Sequence, residues 1–150
     1  MANAAQFLPS RQELLRLLIA GVVAVVAWEL FTRGVLPILF DKKLEPAILI
    51  LKLFGLSKEY KQVAYGLHLF TGIVAYPIGY WIFTRKILSF GTFADGVLFG
   101  VLTWVFALGV IAPIAGIPFF VNFVLSTWLS LAGHILFGLA LAYWVRFGKP

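Results

Sequence analysis

Four apolar runs, each near the length that crosses a lipid bilayer, occupy most of this 150-residue chain. A spanning helix needs roughly 20 mainly apolar residues. Four of them use about 80 positions and leave short connections. No second, water-soluble domain fits within these residues. Only 12% of them are charged, too few to coat a soluble domain of this size. The expected fold is all-α: an integral membrane four-helix bundle with spans over about 11–36, 61–84, 93–111 and 121–145.

The run boundaries carry local signals. Ser10 with Glu13 three later reads as a capping box, which satisfies orphan amides at a helix start. Arg33-Gly34 and Pro37 are expected to loosen the end of that first helix. A cleaved signal peptide is the other reading of the N-terminal run. The stretch is long and no small-x-small site follows, so we read it as a retained span. Pro77 is expected to kink the second span. The connection from Ala112 to Pro118 holds two prolines and no charge, and is expected to dip into the interface.

Residues 41–61 differ from the four runs. A short apolar core from Ile48 to Leu56 is flanked by Lys42, Lys43, Lys58 and Lys61 and interrupted by Lys52. It is too short to span. It reads as an interfacial amphipathic helix over about 45–57, with snorkelling lysines and Pro46 in its first turn.

The net charge of +6 does not point to nucleic acid, because the basic residues sit in ones and twos at run ends. That placement suits lipid headgroups and topology. Arg11, Arg16, Arg85, Lys86, Arg146 and Lys149 fall on one side of the membrane; Lys42, Lys43, Lys52, Lys58 and Lys61 fall on the other. The slight excess on the first side places both termini in the cytoplasm. The chain contains no cysteine. Disulfides, thiolate catalysis and Cys-ligated metal sites are therefore excluded.

Helices in lipid associate through small residues and polar contacts, because lipid tails are as apolar as leucine. The second span carries His68, Gly72, Ala75 and Gly79 along one face. The third carries Gly96, Gly100, Thr103 and Ala107. The fourth carries Asn122, Ser126, Ser130, His134, Gly138 and Ala142 at steps of four, with Gly133 beside them. These stripes are expected to face one another.

Ionisable groups inside a span are costly and mark possible function. Glu29 and Arg33 are four apart and can pair on one helical face. His68 lies roughly 10 Å from the Lys61 end of its helix, and His134 roughly 18 Å from the Asn122 end. Glu29 lies roughly 10–15 Å from the outer end of the first span. Glu29, Arg33, His68 and His134 are thus expected to form a polar cluster in the outer half of the bundle. Three readings of the histidines compete. They hydrogen-bond between helices, they ligate a b-type haem (or, with Glu29, a metal), or they titrate as part of a pH response or proton path. No nucleophile–base–acid set, phosphate loop or zincin helix occurs. Ser126, Thr127 and Ser130 near His134 are read as helix-packing hydroxyls rather than a hydrolase site.

The second half is similar to the YagU-like family of bacterial inner-membrane proteins. The likeness runs over residues 60–146. It rests on His68 with Phe70 and Gly79-Tyr80, the glycine-rich span through Gly96 and Gly100, the Pro113, Gly116, Pro118 connection, and Gly133-His134. A histidine associated with that family's third span is missing here, where Trp104 and Phe106 stand. The resemblance implies a small multi-pass protein of the bacterial inner membrane with a role in envelope or acid-stress physiology. The resulting expectation is a non-enzymatic accessory or scaffold subunit without a cofactor. Its partners would be the bilayer and other membrane proteins or further copies of itself. A bis-histidine haem b protein and a proton-linked transporter or pH-responsive protein are the alternatives.

Overall fold

The computed structural model describes residues 8–86 and 89–148; the side chains of Arg85 and Lys86, and Lys149, which enter the charge count, lie outside the described set. Among the described residues every regular element is helical. They form α1 (Arg11–Phe40), α2 (Pro46–Leu53), α3 (Lys58–Thr84), α4 (Thr92–Ile114) and α5 (Leu125–Phe147). All but α2 are long and apolar enough to cross a membrane. At 1.5 Å per residue they measure about 45, 40, 35 and 35 Å, against roughly 30 Å of hydrocarbon. The capping box forms: the Glu13 amide donates to Ser10 Oγ at 3.3 Å, and the Ser10 amide to Glu13 Oε2 at 2.9 Å.

The prolines do not stop the helices. A stretch of π-helical turn covers Leu30–Val35, Thr71–Ala75 and Phe106–Ile111. In each case a proline stands two residues later: Pro37, Pro77 and Pro113. A proline lacks an amide hydrogen and its ring crowds the carbonyl four residues back. Widening the turn to i→i+5 bonding relieves that crowding and lets the helix continue. Hence α1 runs through Pro37 to Phe40 and ends at Asp41, in left-handed conformation (φ 50°), instead of ending near residue 36. α4 likewise extends past residue 111 through Pro113.

The turn before α5 corrects another expectation. Residues Phe119–Phe123 form a tight turn in which Phe120, Val121, Asn122 and Phe123 all have φ between 44° and 56°. This is one left-handed turn built without glycine, at roughly 1–2 kcal/mol per residue. Its offset is visible nearby. Phe120 is buried against Trp104 with ring centroids 4.5 Å apart, Thr127 Oγ1 donates to the Phe120 carbonyl at 2.7 Å, and Trp104 Nε1 donates to the Thr127 carbonyl at 3.1 Å. Asn122 therefore lies in this turn and not on the small-residue face of α5.

α2 is eight residues long, shorter than the stretch 45–57. Ala47 and Leu51 pack on Ala64 of α3, Lys52 stays exposed, and Lys61 Nζ pairs with Glu45 at 2.8 Å. α2 is thus held along the start of α3.

The long helices pack in the order α3, α1, α5, α4. The core between them gathers Ala20, Ala24 and Trp28 of α1, Tyr80 and Phe83 of α3, Phe99 of α4, and Phe137 and Leu141 of α5. The closest seam is α4/α5. A Cβ on Gly138 would overlap the Gly96 carbonyl and lie 2.8 Å from the Gly100 amide nitrogen, and a Cβ on Gly96 would lie 3.0 Å from the Gly138 carbonyl. The GxxxG of α4 therefore serves backbone-to-backbone contact. The fourth side, α3 against α4, hardly closes. It leaves an apolar cleft of about 300 Å³ lined by Tyr76, Gly79, Phe83, Phe99, Thr103 and Phe106, among others.

Candidate functional site

Trp28 organises the site, although its indole was not among the expected residues. It is 6% exposed and sits on α1 one turn beyond Ala24, on the same small-residue face as Ala20. Gly133 of α5 makes room for it: a Cβ there would lie 2.5 Å from the indole six-membered ring. The His134 ring meets the indole edge-on with centroids 4.8 Å apart, and the His68 ring meets it at 6.2 Å. Both histidines thus rest on one indole supplied by the helix between them.

The expected depth offset shrinks for a definite reason. α5 starts at Leu125, so His134 lies nine residues, or about 14 Å, inside it. His68 lies seven residues, or about 10 Å, from Lys61. The left-handed turn takes up the residues that were counted as helix.

The cluster continues outward from His68. The Tyr65 ring stacks on it with centroids 6.4 Å apart. The Arg33 guanidinium lies over the other aromatic partner, Tyr65, 4.8 Å from its centroid. Arg33 Nε donates to Glu29 Oε2, one turn back on α1. This clasp is not buried in the bundle: the Arg33 side chain is 65% exposed and that of Glu29 21%. Glu29, Arg33, Tyr65, His68, Trp28 and His134 therefore form one connected set, with the charged end outermost.

His134 bonds within its own helix rather than between helices. His134 Nδ1 lies 2.8 Å from the Ser130 carbonyl and 3.4 Å from its Oγ, on its own helix. Ser130 is thus a local partner for the imidazole. The threonines behave similarly. Thr32, Thr71, Thr84 and Thr103 each donate to a carbonyl three or four residues back, which satisfies the hydroxyl inside an apolar layer.

Comparison with protein-family models, curated proteins and solved structures finds no match.

Of the glycines expected at helix contacts, Gly96, Gly100, Gly133 and Gly138 lie at close approaches, and Gly72 packs on Val25. Gly79 does not: an added Cβ would meet only the Phe99 ring, at 3.9 Å. Gly79 lines the α3/α4 cleft instead. Gly21 is a close approach that the stripes did not reveal. A Cβ there would overlap the Ile73 carbonyl and lie 2.8 Å from the Pro77 ring. Ile73 is the residue four before Pro77, so its carbonyl is the one the proline leaves without an amide. The signal was the pairing of that proline with a glycine on a different helix.

Asp95 was also missed. It is 4% exposed in the first turn of α4, and its Oδ1 accepts the Phe90 amide at 2.8 Å. A carboxylate at a helix N-terminus also meets the positive end of the helix dipole. It ties down the turn before α4. Among the described residues no three His, Asp or Glu side chains gather as metal ligands do.

Proposed function

We propose that this chain is a small integral membrane protein that acts by association, as an accessory or scaffold subunit, and performs no chemistry of its own. The single observation that carries this reading is the α3/α4 cleft. Its walls include Gly79 and Thr103, small residues of the kind that let helices approach closely in lipid. At Gly96, Gly100, Gly133 and Gly138 the protein's own helices fill the contact; at Gly79 no helix closes in. A transmembrane helix from a second copy, or from a larger complex, would complete the fourth side. The basic residues at the run ends and the likeness to YagU-like proteins support a multi-pass protein of a bacterial inner membrane with cytoplasmic termini.

The histidine geometry favours this reading over haem binding. A bis-histidine haem sits between its two imidazoles, whereas both rings here rest on Trp28. The expected absorption spectrum of the purified protein has no Soret band. A titrating role for the cluster would show instead as proton movement in liposomes that Glu29→Gln or His68→Ala abolishes.

The test is the native mass of the full chain in mild detergent and in lipid nanodiscs. The expected result is an oligomer or a complex of fixed composition. Gly79→Leu, which fills the cleft, should dissociate it while leaving the helical circular dichroism intact. A monomer at all concentrations, unchanged by Gly79→Leu, would overturn the proposal.

A further inference from the structure

A second cleft, of about 490 Å³, opens between α1 and α3. Its walls are apolar towards the middle of the helices (Val25, Val26, Leu69) and polar towards their α2 end (Glu29, Arg33, Tyr65). We propose that this cleft seats one anionic glycerophospholipid, with the phosphate on Arg33 and an acyl chain along Val25, Val26 and Leu69. The proposal rests on α1 and α3 spanning the bilayer, and is independent of what fills the α3/α4 cleft.

The presentation of Arg33 is the first argument. A structural clasp requires only that guanidinium and carboxylate meet. Here the Glu29 side chain is mostly covered, the Arg33 side chain is 65% exposed, and Tyr65 lies beneath the guanidinium face. A guanidinium carries five N–H donors, and Nε is the one on Glu29. Fixed at its edge and face, it is pre-oriented for the forked contact that arginine makes with phosphate.

Depth is the second argument. Arg33 lies seven residues, or about 10 Å, inside the Phe40 end of α1. Tyr65 lies seven residues inside the Lys58 end of α3. A bilayer measures roughly 40–45 Å overall around about 30 Å of hydrocarbon, so its polar layer is roughly 5–8 Å deep on each side. Helices of about 45 and 40 Å place both residues near the boundary between headgroups and chains. Val25 and Val26 lie about 10–12 Å deeper, where chains belong.

The third argument is charge complementarity. Segment 41–61 above the cleft carries Lys42, Lys43, Lys52, Lys58 and Lys61 against Asp41, Glu45 and Glu59. Glu29 and Arg33 cancel, so this end of the protein is net basic. Basic residues at a membrane surface attract anionic lipid.

The experiment is native mass spectrometry of the full chain titrated with dioleoyl phosphatidylglycerol, and separately with dioleoyl phosphatidylcholine. One phosphatidylglycerol per chain should bind in preference. Arg33→Gln should weaken it by roughly ten-fold or more, as expected for one lost charge-assisted contact. Arg146→Gln, at the opposite end of the molecule, should not. Val26→Trp fills the apolar wall without touching a charge and should also reduce binding. Inorganic phosphate should not displace the lipid. Equal affinity for the two lipids, equal loss in Arg33→Gln and Arg146→Gln, displacement by phosphate, or a protein helix cross-linked at Val26 would each overturn the proposal.

Discussion

Glycine does opposite things on two sides of this molecule. At the α4/α5 seam Gly96, Gly100 and Gly138 bring two backbones together until no methyl group fits. At the α3/α4 cleft Gly79 faces open space, with the Phe99 ring at ordinary contact distance from where a methyl would sit. The residue type and the four-residue spacing are the same in both. A small-residue stripe therefore tells where a helix can be approached, but not by what. The connection decides the difference. α4 and α5 are joined through a tight left-handed turn that sets them side by side, whereas α3 is drawn to α1 by the Gly21 contact on the Ile73 carbonyl.

The largest effect should come from closing the seam to glycine. Gly138→Leu would drive a side chain into the backbone of α4, at a cost of roughly 3 kcal/mol or more, the upper end for overpacking. Titration from mild detergent into dodecyl sulfate, followed by far-ultraviolet circular dichroism, should show a large loss of stability. An unchanged transition would mean that α4 and α5 do not cross there. A smaller effect is expected at the turn. Thr127→Val removes the donor to the Phe120 carbonyl inside a buried, strained segment, for about 1–3 kcal/mol. The same titration measures it, and no change would show that the Phe120 carbonyl finds another donor. Gly79→Ala should have the smallest effect on stability, between zero and a gain of about 1 kcal/mol, because glycine is the poorer helix former and the site is roomy. A cost comparable to that of Gly138→Leu would erase the contrast between the two sides.

Much of the helical layout was legible from residue pattern. Run length gave four long helices, Ser10 and Glu13 marked a true helix start, and spacing by four located Gly96, Gly100 and Gly138. The clasp of Glu29 with Arg33 followed from the same spacing. What was not legible has common physical causes. Pro37 and Pro113 read as helix ends because a π-turn that absorbs a proline leaves no mark in composition. Phe120, Val121, Asn122 and Phe123 adopt a left-handed turn that none of these residue types announces; Thr127 just beyond it and Trp104, distant in sequence, help to stabilise it. Trp28 was hidden because one aromatic residue in an apolar run resembles any other until Gly133 is seen to make room for it. The histidines were placed at different depths for the same reason that Asn122 was placed on α5.

The comparison between a filled seam and an open cleft is tested most directly by cross-linking, which the absence of native cysteine makes clean. Single cysteines at Gly79 and Leu102, on the cleft, and at Leu139, beside the α4/α5 seam, would be labelled with a thiol-reactive photo-cross-linker and irradiated in native membranes, which reports a second copy and a different protein alike. The account predicts intermolecular products from the two cleft positions and none from Leu139→Cys. Efficient products from Leu139→Cys, or none from Gly79→Cys and Leu102→Cys, would contradict it.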